Sequence, residues 1–272
     1  MQYEGKPWLI ARTAIEGLAR GVPVAALGVR SSRTAEIARI ARATGHHAIW
    51  VDLEHSTMPI DAAAAICAAA ADIGLAPFVR VPEREYGVIG RLLDGGALGI
   101  IAPRVETVEE AQDIVAACRF PPFGHRSAIA TLAHVNFRKL PTEEFTRAMN
   151  DATVVKILIE SPRGIDNIEA IAALPGVDLV GIGTNDLSAE LGVSGQYSHA
   201  SVRQAHESAI GACRRAKKPL AIGGIGDLAY NAELIRLGAA PFLFTGIDTD
   251  LLLGAARDRL GQALASLDRP LQ

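Results

Sequence analysis

Aromatic residues make up only 5% of this 272-residue chain, and it contains three cysteines. Cys67, Cys118 and Cys213 are an odd number, scattered without metal-ligand spacing, which argues against a disulfide framework. A basic surplus is also missing: 27 Lys and Arg against 30 Asp and Glu leave a net charge of −3, so a nucleic-acid partner is not expected. No apolar run approaches the roughly 18 residues needed to cross a bilayer, so no membrane span is expected. The opening MQYEGKPWLIARTAIEG lacks the basic stretch, apolar core and small-residue cleavage site of a secretory leader. These absences predict a soluble, cytoplasmic protein. The 49% of hydrophobic residues is enough for one large core, and residues 1–272 read as a single domain.

What is abundant is alternation. Short apolar runs at 23–27, 48–53, 76–81, 99–103, 154–160, 179–183, 220–223 and 241–245 read as strands. Between them, 32–44, 58–73, 106–118, 162–174, 199–217, 227–237 and 249–266 carry apolar residues three and four apart, as helices do. The strands are apolar throughout, which suits a parallel sheet covered on both faces. Eight such strands within this length predict a closed α/β (β/α)8 TIM barrel. An open doubly wound sheet is the competing architecture, but GVRSSRT after the first strand is not a G-x-G-x-x-G turn. The rhythm breaks once, between the fourth and fifth strands. FPPFGHRSAIATLAHVNFRKLP is too aromatic for a linker and predicts an ordered excursion at about 119–148, covering a barrel face or reaching a neighbouring subunit.

Barrel enzymes collect their chemistry where strands end, so polar residues there are informative. Strand two ends in Asp52-Leu53-Glu54-His55, strand three in Arg80, strand five in Glu160-Ser161-Pro162, and strand six in Gly183-Thr184-Asn185-Asp186. Glu160 and Asp186, at neighbouring strand ends, would repel each other unless a cation sat between them. All-oxygen ligation suits Mg²⁺ or Mn²⁺. In the structural alternative, Asp186 caps a helix and Glu160 pairs with Arg80 or Arg163. His55, beside Asp52 and Glu54, is placed to move a proton; His46, His47, His199 and His206 read as surface histidines. Arg80 is placed to stabilise an enolate or carboxylate, or else to bridge to Glu54 or Asp52. Backbone N–H groups of Gly181–Asp186 would face an anion. Gly223, Gly224 and Gly226 form a phosphate site or an ordinary turn. Lys156, on strand five, would open a Schiff-base route if it points inward.

Taken together, WVDLEHS, FVRVPE, LLDGGALGIIAPRVETVEEA, RFPPFGHRS, IESPRGIDNIEAIAALPGVDLVGIGTNDLSAELG and FTGIDTDLLL make residues 15–265 resemble the HpcH/HpaI class II pyruvate aldolases. Two of these stretches are also similar to barrels that handle phosphoenolpyruvate. The resemblance implies a metal-dependent carbon–carbon lyase that reversibly cleaves a 4-hydroxy-2-oxo acid to pyruvate, or a related 2-oxo acid, and an aldehyde. It implies His55 as acid–base with Asp52 as its supporting carboxylate, and Arg80 at the enolate. It further implies Glu160 and Asp186 on Mg²⁺, Mn²⁺ or Co²⁺, with Gly183, Thr184 and Asn185 receiving the pyruvate carboxylate. It also implies a homo-oligomer, a hexamer or trimer of dimers, with the C-terminal helix packed on a neighbouring subunit. This chain departs from the family at Leu158, where Gln is usual, and at Leu53, where Gly is usual; the excursion lacks the usual Gly after Arg126. Leu158 is expected to remove a polar contact near the metal, and Leu53 to add bulk near the base. The remaining alternatives are a non-catalytic 2-oxo-acid- or phosphoenolpyruvate-binding barrel and an acyl-CoA lyase of the citrate lyase β type, for which no basic CoA-binding stretch is visible.

Overall fold

The computed structural model describes residues 6–129, 131–135 and 137–267. Eight strands, β1 (Val24–Val29), β2 (Ala48–Asp52), β3 (Ala76–Arg80), β4 (Gly99–Ala102), β5 (Val154–Ile159), β6 (Leu179–Gly183), β7 (Leu220–Gly223) and β8 (Phe242–Ile247), run parallel in the order β7-β6-β5-β4-β3-β2-β1-β8. The result is a nearly closed (β/α)8 barrel. At the seam between β7 and β8 the described residues form no ladder, and the Ala240 N–H donates to the Leu220 carbonyl at 2.7 Å. The helices are α1 (Ile10–Ala19), α2 (Glu36–Ala43), α3 (Ile60–Asp72), α4 (Ile89–Asp94), α5 (Val108–Cys118), α6 (Thr142–Ala152), α7 (Pro162–Ala173), α8 (Thr184–Glu190), α9 (Ala200–Arg215), α10 (Leu228–Leu237) and α11 (Asp248–Leu267). None of them is long and apolar enough to cross a membrane.

Successive strand side chains point to opposite faces, which here sorts them into two cores. On β2, Ile49 and Val51, followed by Leu53, pack outward against the helices, while Ala48 and Trp50 point into the barrel. The same parity turns Asp52, Arg80 and Glu160 inward at the strand ends. Inside, bulk alternates with its absence. A Cβ on Gly99 would lie 2.2 Å from the Phe78 ring, and one on Gly28 would lie 2.9 Å from Trp50. Leu53 therefore does not crowd the barrel mouth as the sequence suggested; it belongs to the outer core.

Three helices, α1, α4 and α6, were not expected from the sequence, and α1 has the largest structural consequence. Its apolar face, with Trp8 ahead of it, joins Phe120, Leu132, Val135, Phe145 and Met149 at the N-terminal end of the strands. Arg12 fastens this plug by donating to Asp178 Oδ1 at 2.6 Å and to the Thr153 carbonyl at 2.7 Å. Arg119 donates to the other carboxylate oxygen of Asp178 at 2.7 Å. The described residues of the 119–148 segment, through Phe120, Leu132, Val135 and Phe145, close the bottom of the barrel, at the opposite end from the strand C-termini. At the other end, caps set where helices begin. The Ser161 hydroxyl accepts the Gly164 N–H at 3.1 Å, starting α7 immediately after Glu160; losing such a cap costs about 1 kcal/mol.

Candidate active site

A cavity of about 390 Å³ opens at the C-terminal end of the barrel, lined by His55, Arg80, Glu160 and the 183–186 segment. Asp52 lies behind this lining, fully buried. Its carboxylate accepts a fork from Arg80, Nε to Oδ1 at 3.0 Å and Nη2 to Oδ2 at 2.8 Å. It also accepts Arg30 Nε at 3.1 Å. Burial pushes the Asp52 carboxyl up, but these guanidiniums and the His55 N–H outweigh it and hold its pKa below the usual range. Arg80 is thus fixed in place, with its ring-facing side 5.2 Å from the Trp50 centroid.

Asp52 touches His55 through the backbone, accepting its N–H at 3.2 Å. The imidazole is faced instead by Glu54, with Nε2 3.7 Å from Oε2, and is more than half exposed at the mouth. Glu54 also lies 2.9 Å from Arg80 Nη1, a contact without hydrogen-bond alignment. Burial raises the Glu54 carboxyl despite that guanidinium.

Across the mouth, Glu160 is 4% exposed and accepts the Arg104 N–H on Oε2 at 2.9 Å. Burial, with Glu54 and Asp186 nearby, pushes its pKa up to about 7 against the pull of that N–H. Oε1 lies against Gly183, where a Cβ would sit only 2.2 Å away. Asp186 is half exposed, 3.7 Å from Arg104 Nη1. The donor set fits a hard divalent cation: two carboxylates, one of them raised first by burial and then by the charge of its neighbours. Among the described residues no third His, Cys, Asp or Glu joins them, so substrate and water oxygens would complete the shell. Of the 183–186 segment, Thr184 is fully buried, its hydroxyl 3.1 Å from His206 Nε2. His206, read from the sequence as a surface residue, is completely buried between Thr184 and Tyr230. Burial brings its pKa down to about 4.

Two cations complete the lining. Lys156 points inward below Glu160, into space left by Gly181, where a Cβ would meet its Cε at 2.6 Å. Its ammonium lies over the rings of Phe244, at 4.6 Å, and Phe242, at 5.2 Å. No hydrogen bond to it occurs among the described residues, and burial, with Arg80 nearby, brings its pKa down to about 7. Leu158 separates Lys156 from Glu160 on the same inward face and lines the cavity. Arg30 stands just beyond β1, on the opposite side of the mouth. Sequence reasoning passed over Arg30 because nothing in GVRSSRT separates it from a surface arginine; only its place one residue past a strand end could have marked it.

The family model described as HpcH/HpaI aldolase/citrate lyase matches residues 30–255. A 4-hydroxy-4-methyl-2-oxoglutarate aldolase of Chaetomium globosum is 36% identical over 250 residues, covering 90% of this chain and 91% of that protein. A 2-keto-3-deoxy-L-rhamnonate aldolase of Escherichia coli is 32% identical, covering 88% and 89%. The crystal structure of an HpcH/HpaI aldolase from Desulfitobacterium hafniense superimposes with a TM-score of 0.83 at 26% identity, over 94% of this chain and 96% of that one.

Proposed function

The chain belongs to the HpcH/HpaI aldolase/citrate lyase family, and from that premise we propose how its barrel mouth works as a carbon–carbon lyase. The reaction is retro-aldol cleavage of a 4-hydroxy-2-oxo acid to pyruvate and a carbonyl product, and its reverse. The observation that carries the reading is the convergence of Arg80, His55, Glu160 and Asp186 on one cavity at the strand ends. Glu160 and Asp186 would hold a divalent ion, Mg²⁺, Mn²⁺ or Co²⁺, which when bound supplies Lewis-acid polarisation of the 2-oxo acid. Arg80, locked by Asp52, presents fixed donors to the oxygen that gains charge as the C3–C4 bond breaks. Because those donors are already oriented, little reorganisation opposes the charge. His55, at the wet edge and beside Glu54, takes the proton of the C4 hydroxyl, and a proton delivered to the enolate carbon completes pyruvate. Gly183, Thr184 and Asn185 form the wall on which the pyruvate carboxylate rests. The substrates named for the relatives favour 4-hydroxy-4-methyl-2-oxoglutarate or a close analogue, and the site of action is the cytoplasm.

Metal dependence is the deciding experiment. Chelation should remove activity and added divalent ions restore it, while Glu160→Gln and Asp186→Asn should not be rescued. Lys156 supports a second reading, because an unpaired amine with a pKa of about 7 lines the same cavity. Its attack on the 2-oxo carbon would release water and leave an iminium. Activity that survives chelation, together with a pyruvyl adduct trapped on Lys156 by borohydride, would install this route in place of the first.

We also propose that α11 packs on another copy of the chain, within a hexamer or trimer of dimers. From residue 250 onward the helix is exposed, including Leu252, Leu260, Leu264 and Leu267. A helix with no core of its own gains stability from partners. Removing residues 251–267 should yield monomers or smaller assemblies by light scattering. An unchanged mass would refute the contact.

A further inference from the structure

We infer that Arg30 selects acceptors that carry a carboxylate, so the substrates of this enzyme are 4-hydroxy-2-oxo dicarboxylates. The inference rests on the lyase reading above and goes beyond it, to the part of the substrate that the carboxylate pair and Arg80 do not hold. Three observations carry it.

Position comes first. In the strand order, β1 lies four strands from β5, which is halfway round an eight-stranded barrel. Glu160 ends β5 and Arg30 follows β1, so they face each other across the cavity that both line. A 2-oxo acid group seated at Glu160 and Asp186 directs the far end of a short chain toward Arg30.

Fixation comes second. The Arg30 N–H donates to Asp248 Oδ1 at 2.9 Å, and the following N–H groups of Ser31 and Ser32 also donate to that carboxylate. The Arg30 side chain is anchored through Nε and Nη2, at 3.1 and 3.0 Å from the same oxygen of Asp52. A guanidinium held at both its backbone and its fork loses little further entropy when a ligand arrives.

Charge comes third. Asp52 is already engaged by the full fork of Arg80, and Glu54 answers the remaining nitrogen of that residue. Arg30 shares a carboxylate that Arg80 alone would satisfy. Among the described residues, its Nη1 has neither a hydrogen bond nor an ion pair, and its side chain is 30% exposed. A partly desolvated cation with a free donor at the cavity wall is a carboxylate receptor. Between the two ends the wall is apolar, formed by Trp50, Leu158 and Phe244, and suits the carbon that joins them.

The test compares two acceptors of similar size with pyruvate as donor: glyoxylate, which has a carboxylate, and glycolaldehyde, which has none. In Arg30→Met, kcat/KM for glyoxylate should fall about ten- to a hundred-fold, the worth of a hydrogen bond to a charged group. The value for glycolaldehyde should stay within a few-fold. Arg30→Lys, which keeps the charge and loses the fork, should fall between. Equal losses on both acceptors in both variants would show that Arg30 acts only by supporting Asp52, and would overturn the inference. Wild-type enzyme that condenses neither acceptor would instead reject the lyase reading. A thermal midpoint for each variant separates loss of selectivity from loss of fold.

Discussion

Glycine 183 is the place where a single methyl group tests the carboxylate pair without touching its charge. Its φ of −94° is open to any residue, so alanine is not disfavoured by the backbone. What alanine meets is the Glu160 side chain, with Oε1 at 2.2 Å, Cγ at 2.7 Å and Cδ at 2.9 Å from the new Cβ. Ordinary contact begins near 3.4 Å, so the carboxylate must move by about 1 Å. It cannot simply slide, because Oε2 is tied to the Arg104 N–H at 2.9 Å and the residue is 4% exposed. Overpacking of this kind costs about 1–3 kcal/mol. If the strain is relieved by displacing Oε1, the same energy appears as about a ten- to hundred-fold loss of Mn²⁺ affinity. Calorimetric titration of Gly183→Ala with Mn²⁺ reads that loss directly. Gly226→Ala is the control, since a Cβ there meets nothing within 4 Å. If Gly183→Ala binds Mn²⁺ as tightly as Gly226→Ala, Glu160 is not a ligand and the assignment fails.

His55→Ala should lose most turnover while still binding oxalate with metal, because the imidazole stands at the mouth and holds no ligand; unchanged turnover would remove it from the chemistry. Leu158→Gln should bind metal normally but shift the ratio of rates between polar and apolar acceptors by roughly ten-fold, the worth of one hydrogen bond; a fixed ratio with a lower thermal midpoint would make Leu158 packing alone. Acid should destabilise the fold through His206, whose folded pKa of about 4 lies below its unfolded value of about 6.5. The unfolded chain therefore binds the extra proton, and stability drops as pH falls through that window, by about 2 kcal/mol at pH 5. His206→Gln should flatten this part of the urea-midpoint profile between pH 7 and 5; an unaltered slope would refute the buried neutral imidazole.

The barrel was legible because its strands are short, apolar and regularly spaced, and because parallel pairing leaves few ways to arrange eight of them. Parity was not legible. Runs buried on both faces carry no polar–apolar alternation, so AIWVDL does not reveal that Leu53 faces the helices while Trp50 faces the cavity. The N-terminal plug escaped for a related reason: α1 packs against the barrel bottom and precedes the first strand, outside the alternation that exposed the rest. Arg80, Glu160 and Asp186 stood out as charges at the ends of apolar runs. Arg30 did not, since its role is given by a distant carboxylate, Asp248, more than two hundred positions along the chain. The burial of His206 is likewise set by tertiary partners, Thr184 and Tyr230, that no local pattern announces.

The interior of this barrel also constrains how its sequence can drift. Each inward glycine is occupied by its neighbour: Phe78 over Gly99, Trp50 over Gly28, Lys156 over Gly181. Neither member of such a couple can change alone. A larger residue at the glycine has no room, and a smaller one opposite leaves a void costing several kcal/mol. Viable change therefore runs through reciprocal exchange, with bulk handed from one strand to the next. Libraries built to alter this cavity should vary these couples jointly, and most of their single substitutions should be recovered only with the matching partner.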